Sequence, residues 1–404
     1  MSLGRVVGVD PVAAEAAREL HLRLTKPPGS LGRLESLGVQ LAAIAGECPP
    51  PVPAPAAVAV FAGDHGVLAE GVSPWPAEVT AQMVANFCAG GAAVNVLARH
   101  AGASVVVVDV GVASPCPPHP SLIDANVRRG TRNLAVEPAM TAAECEAAFE
   151  VGRSVAVRLA ADAGCLVTGE MGIGNTTPSA CLIAAFTGLP AAAVTGRGTG
   201  VDDAGLALKV SVVERALARH GVGSGSGPAS GSSSASGSSS SSGSSSADPA
   251  AGHGVAGPAS AAPLSVQDVA GSAVHGVAGQ ADPMAVLASL GGLEIAALAG
   301  FIVGGAERRV PVVVDGVIAC AALLAAAALE PEVLGYCVAG HRSSEPGASA
   351  ALSFLGLEPV LDLELRLGEG SGACLAVPVV QAAAKVLREM ATFDAAGVTD
   401  KTEL

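Results

Sequence analysis

The sequence predicts an α/β fold: a three-layer α/β/α sandwich on a mostly parallel sheet, with a small helical subdomain beside it. Two observations predict this. Short apolar runs recur along the chain, separated by helical patterns, as strands buried on both faces of a parallel sheet require. The polar clusters fall where these runs end, the edge at which open α/β sheets bind ligands. Composition agrees: half of the 404 residues are hydrophobic, 51 are Gly and only 2% are aromatic, which suits helices packed closely on a sheet.

The elements follow in chain order. Asp10-Pro11 opens an Ala/Glu/Leu-rich helix. Lys26-Pro27-Pro28-Gly29-Ser30 breaks it, and a second helix is predicted from about Leu31 to Ala45. Ala57 to Phe61 is an apolar strand ending in Gly63-Asp64-His65-Gly66, and Ser104 to Val110 is a Val-rich strand with Asp109 near its end. Cys165 to Thr168 leads into the loop Gly169 to Thr177, where Thr177-Pro178 reads as an N-cap followed by Pro at the first helical position. Val310 to Val314 ends in Asp315-Gly316, Ala319 to Leu329 reads as a buried helix, and Val333 to Ala339 ends in Gly340-His341-Arg342-Ser343. Val360 to Leu367 alternates apolar and polar residues, a period-2 strand signal, and Cys374 to Phe393 reads as a helix. Between them Glu369 stands between Gly368 and Gly370. A glycine turn feeding a helix is a natural anion site, so a carboxylate there either caps the helix or faces a ligand pocket for acid/base chemistry.

The segments 1–50 and 375–404 are expected to form the helical subdomain, and 51–221 with 281–374 the catalytic core. Residues 222–280 are foreign to both. From Val222 to about Ala262 the chain is Gly, Ser, Ala and Pro, which buries no apolar surface, so 222–280 reads as a largely disordered insertion in a surface loop. A domain linker is the rival reading; the shared strand-loop-helix pattern on both sides favours the loop.

Composition also bounds the partners. The net charge of −14 argues against nucleic acid. No apolar run is long and clean enough to span a bilayer, and Met1-Ser2-Leu3-Gly4-Arg5 lacks the apolar core of a signal peptide, so no membrane and a cytoplasmic location are expected. The nine cysteines are scattered without a Cys-x-x-Cys pair and read as small core residues in a reducing compartment, not as disulfides or a zinc site.

Several residues invite chemistry. Glu170, like Glu369, lies in a glycine loop after a strand, and two glutamates so placed can share a pocket as acid/base partners; capping of a helix N-terminus accounts for each about as well. Gly196-Arg197-Gly198-Thr199-Gly200 lacks the dinucleotide spacing, and no Gly-Lys dipeptide makes a P-loop. Together with Gly172 to Thr176 it suggests a phosphate held by backbone amides, against an ordinary turn. Asp64-His65 alone is thin for a metal or a proton relay. His341, Ser343 and Glu345 form a polar loop that either binds ligand or bonds to itself. Asp315 is an acid after a wholly apolar strand, and Lys209 either faces an anion or covers a helix surface.

Seen together, KPPGSLGRLE (Lys26 to Glu35), AGDHGV (Ala62 to Val67), GVSPWPAEVTAQM (Gly71 to Met83), GEMGIGNTT (Gly169 to Thr177), VVVDG (Val312 to Gly316), HRSSEPGA (His341 to Ala348) and LRLGEGSGA (Leu365 to Ala373) closely resemble one family, the nicotinate-nucleotide–dimethylbenzimidazole phosphoribosyltransferases of cobalamin lower-ligand synthesis. The stretches stand in family order and cover nearly the whole chain outside the Ser-rich insertion. The resemblance implies transfer of phosphoribose from nicotinate mononucleotide to 5,6-dimethylbenzimidazole, giving α-ribazole 5′-phosphate and nicotinate. It implies a homodimer that needs no cofactor and no metal. The family's proton acceptor falls on Glu369, with Glu170 a second candidate. The family's lysine and the acid of its DG motif fall on Lys209 and Asp315, and its base-binding stretch on Ser73 to Met83, where Trp75 and Met83 can line an apolar pocket; Gly172, Gly174, Asn175, Thr176, Gly196, Gly198, His341 and Gly368 complete the substrate-binding set expected from the loops themselves.

Two rivals from other classes stand beside this reading. One is a nucleotide-dependent oxidoreductase, against which the missing dinucleotide fingerprint counts. The other is a non-enzymatic nucleotide- or benzimidazole-binding module.

Overall fold

The computed structural model describes residues 6–222 and 282–399. The expected insertion therefore lies, Val222 apart, outside the described residues.

Among the described residues six strands form one wholly parallel sheet: β1 (Ala56–Gly63), β2 (Ala103–Gly111), β3 (Leu122–Asp124), β4 (Cys165–Met171), β5 (Val312–Val314) and β6 (Cys337–Ala339), in the spatial order β3-β2-β1-β4-β5-β6. The chain builds outward from β1 to one edge, then crosses back to β4 and builds to the other. The reversal between β1 and β4 is a topological switch point, where helix connections leave on opposite faces and open a crevice.

Fourteen α-helices lie among the described residues: α1 (Pro11–Arg23), α2 (Arg33–Ala45), α3 (Glu78–Ala89), α4 (Ala93–His100), α5 (Ala142–Leu159), α6 (Thr176–Thr187), α7 (Ala191–Val194), α8 (Asp203–Arg219), α9 (Pro283–Leu290), α10 (Leu293–Glu307), α11 (Val317–Leu329), α12 (Pro346–Phe354), α13 (Ser371–Glu389) and α14 (Phe393–Ala396). Strand β1 shows why its sequence is apolar at every position. Ala57, Ala59 and Phe61 join the layer that includes α5, α6, α10 and α11, while Val58, Val60 and Ala62 join the layer of α3, α4 and α13. A strand buried on both faces has no solvent side to mark with polar residues. Gly152 and Gly300 let α5 and α10 touch: a methyl at Gly152 would collide with the Ala297 carbonyl oxygen, and one at Gly300 with that of Phe149.

At the N-terminus Asp10 caps α1 by accepting from the amides of Val12 and Ala13, with Pro11 as the first helical residue. Between α1 and α2, Lys26 is buried and its Nζ donates to Glu35 Oε1 at 2.8 Å, which fastens the break in the first matched motif. Ala17, Leu24, Ala42 and Leu387 bring α1, α2 and the end of α13 into a small apolar cluster of their own.

Four expectations need correction. Val360 to Leu367 is not a strand: apart from one bridge between His341 and Leu361 it is irregular, and Glu364 turns left-handed at φ 57°, which breaks any extended ladder. The run Val333 to Ala339 is strand only in its last three residues, because Pro331 opens a 3₁₀ helix that continues to Tyr336. Helix α6 starts before Thr177, with Asn175 at its N-cap position and Pro178 as its third residue. The stretch Glu78–His100 has the length and composition to cross a bilayer, but Gly90 in the left-handed region ends α3 and α4 begins at Ala93. The two pieces, 12 and 8 residues long, are each shorter than the ~20 residues a span requires.

Candidate active site

The parallel sheet places the ends of β1, β2, β4, β5 and β6 along one edge, and with them Asp64, Asp109, Glu170, Asp315 and His341. All five are buried, so their polar atoms have to find partners inside the protein.

Glu170 is the penultimate residue of β4, at the switch point. Its Oε2 accepts from the Asn175 side-chain amide, and its Oε1 accepts from the Glu369 backbone N–H at 3.3 Å. Burial, then the charges of Asp315 and Glu294, push its pKa up to about 8. Near neutral pH the group is therefore mostly the neutral acid.

Glu369 stands above it on a turn of unusual backbone. Gly368, Glu369 and Gly370 all lie in the left-handed region, with φ of 81°, 65° and 92°. For the glutamate this conformation costs about 1–2 kcal/mol, so surrounding contacts have to hold it. They do so closely: a methyl at Gly368 would collide with Glu170 Oε1, and one at Gly370 would lie 2.8 Å from the Thr168 carbonyl oxygen. Glu369 does not cap α13, whose N-cap is Gly370 with no side-chain bond. The capping carboxylate comes from the end of β5 instead: Asp315 accepts from the amides of Gly370 at 3.1 Å and Ala373 at 2.9 Å. Glu369 Oε2 is buried without a hydrogen-bond partner among the described residues. Burial raises the pKa of Glu369, the Val94 amide at the start of α4 opposes the rise, and the Asp315 charge adds to it.

His341 Nε2 lies 3.3 Å from Asp315 Oδ1, an ion-pair distance outside hydrogen-bond geometry. Burial disfavours its charged form, but Asp315 wins and raises the pKa. The ring packs against the first turn of α13, where a methyl at Gly372 would run into it. The structure thus places His341 and Asp315 behind the Glu369 turn.

The other end of the site holds a cation. Lys209, on α8, is buried, and its Nζ donates to Thr176 Oγ1 at 2.8 Å. Burial lowers its pKa, with Glu345 pulling the other way. Glu345 holds the Gly196–Gly200 loop: its Oε1 accepts from the Gly198 amide at 2.9 Å, and a methyl at Gly196 would collide with its Oε2. The Gly198 amide, expected to face a phosphate, is thus already bonded to a carboxylate. In the loop after β4 the Asn175 amide is bonded to the Gly172 carbonyl, and the Ile173 amide to Thr80 Oγ1 at 3.2 Å. Gly174 takes φ 91° between them. Lys209 is the stronger phosphate candidate, an ammonium with one hydroxyl partner in a desolvated place.

Thr80 ties this loop to the stretch Ser73 to Met83. There Met83 is half-buried against the α3 layer, while Trp75 is half exposed on the loop before α3.

Sequence reasoning missed one charged pair entirely. His65 Nε2 bonds Glu294 Oε1 at 2.8 Å, with both side chains wholly buried beneath the Gly172 loop. Burial opposes protonation of His65, but Glu294 and then Asp64 overcome it and raise its pKa. A lone glutamate among the apolar residues of Leu293 to Ala306 was the available signal.

Comparison with known proteins agrees with the fold. A sequence model of a family described as phosphoribosyltransferase matches residues 6–237 and 250–398. A nicotinate-nucleotide–dimethylbenzimidazole phosphoribosyltransferase of Salinispora tropica is 52% identical over 408 residues, covering 97% of each chain. One from Chloroflexus aurantiacus is 46% identical over 402 residues, covering 99% of this chain and 98% of its own. The crystal structure of CobT from Thermus thermophilus superposes with a TM-score of 0.79 at 42% identity, covering 96% of this chain and 99% of that one.

Proposed function

The chain belongs to the nicotinate-nucleotide–dimethylbenzimidazole phosphoribosyltransferase family, and from that premise we propose that Glu369 is the proton acceptor of its reaction. The enzyme transfers phosphoribose from nicotinate mononucleotide to 5,6-dimethylbenzimidazole, giving α-ribazole 5′-phosphate and nicotinate, in cobalamin lower-ligand synthesis.

The donor's pyridinium departs as neutral-ring nicotinate while C1′ gains oxocarbenium character. One benzimidazole nitrogen attacks C1′ from the face opposite the leaving group, which inverts the β donor to the α product. The other ring nitrogen then carries a proton that must leave. A carboxylate beside it accepts that proton and stabilises the passing positive charge.

The observation that carries the assignment is the unpartnered Glu369 Oε2. Glu170 is the weaker base near neutrality, because both its oxygens accept hydrogen bonds and its pKa of about 8 keeps it protonated. In this reading Lys209, Thr176 and the loop from Gly172 to Asn175 hold the 5′-phosphate. Gly196 and Gly198 shape that end, and Gly368 gives the base its turn. Trp75 and Met83 flank the incoming ring, while Asp315 and His341 support the turn. The reaction needs no cofactor. The nine cysteines are free thiols, which supports a reducing, cytoplasmic location. A homodimer, and a helical subdomain of 1–50 with 375–404 beside the core of 51–221 and 281–374, complete the reading.

The test is Glu369→Gln, assayed for nicotinate release with dimethylbenzimidazole present. We expect turnover to fall by at least about 10³-fold with the fold intact. A rate near wild type would remove the assignment.

A further inference from the structure

We propose that Asp315 is a positioning residue for the Glu369 turn: its carboxylate clamps the Gly370 and Ala373 amides and thereby fixes where the proton acceptor stands. This rests on the reading of Glu369 as the base.

The clamp uses both oxygens. Oδ2 accepts from Gly370 N–H at 3.1 Å and Oδ1 from Ala373 N–H at 2.9 Å, so one side chain spans the start of α13. Asp315 is itself held. Its backbone N–H donates to Thr168 Oγ1 at 2.9 Å, and Thr168 Oγ1 in turn contacts the Val313 carbonyl at 3.4 Å. His341 stands at 3.3 Å from Oδ1 on the remaining side. Nothing in this arrangement leaves the carboxylate turned toward a substrate. The turn, by contrast, needs a holder, because left-handed Glu369 at φ 65° relaxes elsewhere if released. Inside the turn Ser371 N–H and Oγ–H bond to the Gly368 carbonyl, at 3.0 Å and 2.7 Å, which closes the turn on itself but does not tie it to the sheet. One amide of the turn, that of Glu369, reaches Glu170 on β4 at 3.3 Å, and Asp315 adds two shorter bonds from the end of β5.

The clamp has an electrostatic side. The groups facing Glu369 are Glu170 on β4, Asp315 after β5, and the Val94 amide on α4, with Glu294 and Asn175 acting on Glu170 beyond it. Asp315 raises the pKa of both glutamates. Removing its charge therefore lowers both, and the acid limb of the rate profile moves to lower pH.

Asp315→Asn tests this on the full chain. Displacement of the turn by about 1 Å predicts a kcat about 10²-fold lower. KM for either substrate should change no more than about 3-fold, since no substrate contact is lost. The acid limb shifts down, and hydrogen exchange at the Gly370 and Ala373 amides accelerates. A role confined to stability would lower Tm without moving the acid limb, and that result overturns the proposal. A raised KM with unchanged kcat and unchanged amide exchange makes Asp315 a substrate contact and overturns it too. Should Asp315→Asn fail to fold, Thr168→Val carries the test, since it keeps the charge and frees the Asp315 backbone: kcat should drop with KM unchanged, and an unchanged kcat overturns the clamp. If Glu369→Gln turns over at the wild-type rate, the base assignment fails, while amide exchange in Asp315→Asn still reads the clamp by itself.

Discussion

The two ends of the site are built from opposite materials. At the Glu369 end three carboxylates crowd together, and the backbone rather than the charge does the fixing: Glu170 accepts the Glu369 amide, and Asp315 accepts the Gly370 and Ala373 amides. At the Lys209 end a single buried ammonium meets one hydroxyl, and the nearby carboxylate of Glu345 is occupied by a glycine amide. The Asp315 charge raises the pKa of both glutamates, which suits a base, and a desolvated cation suits an anion receptor. In the proposed reading, one site handles a proton at one end and a phosphate at the other.

The largest effect that could break this division is at Glu369, where Glu369→Gln is expected to remove activity. The same variant should leave stability unchanged or higher, because it removes a carboxyl that burial disfavours in its charged form. Next comes Lys209. Lys209→Met removes a charged partner worth about 1.5–3 kcal/mol, so KM for nicotinate mononucleotide should rise about 10- to 100-fold while kcat falls less. Burial lowers the Lys209 pKa, so the wild-type KM should begin to rise at a pH below the ordinary lysine range. Steady-state kinetics against pH check both. A fall in kcat alone would place Lys209 at the reacting centre and erase the division.

Glu170 gives a smaller, thermodynamic effect. Its pKa rises from an ordinary 4.5 to about 8 in the folded chain. Across that window the folded state holds a proton that the unfolded state has lost, so stability falls as pH rises from about 4.5 to about 8. Glu170→Gln should flatten this slope, a difference on the order of a few kcal/mol at its upper end, measured by urea unfolding. Activity decides the roles: if Glu170→Gln were dead and Glu369→Gln active, the two glutamates would exchange parts.

Much of this was legible because strand ends announce themselves. Gly63-Asp64-His65, Glu170, Asp315 and His341 each follow an apolar run, and the parallel sheet carries every one to the same edge. Partners across the fold were not legible. The amides that Asp315 bonds lie 55 and 58 residues away in sequence, and the His65 partner, Glu294, lies 229 residues away. No local pattern records such pairings. Val360 to Leu367 misled for a related reason. The segment runs irregularly past His341 with Leu363 and Leu367 exposed, and alternation alone does not say whether a neighbour accepts the ladder.

The smallest expected effect concerns what lies between the two ends in sequence. Every residue assigned to either end falls within 6–222 or 282–399, and the family match is interrupted at 238–249, inside the Gly/Ser-rich stretch. A connection of that composition has little to bury, and shortening it about threefold alters its closure free energy by only about 1 kcal/mol. Deleting Ser224 to Ala262 should therefore leave kcat and both KM values within about 2-fold of wild type, because α8, which carries Lys209, is anchored by its own packing on α6. A selective rise in KM for nicotinate mononucleotide would mean that the stretch holds α8 and its lysine in place. The phosphate end would then depend on the long connection, while the Glu369 end is held from within the sheet by Asp315 and Glu170.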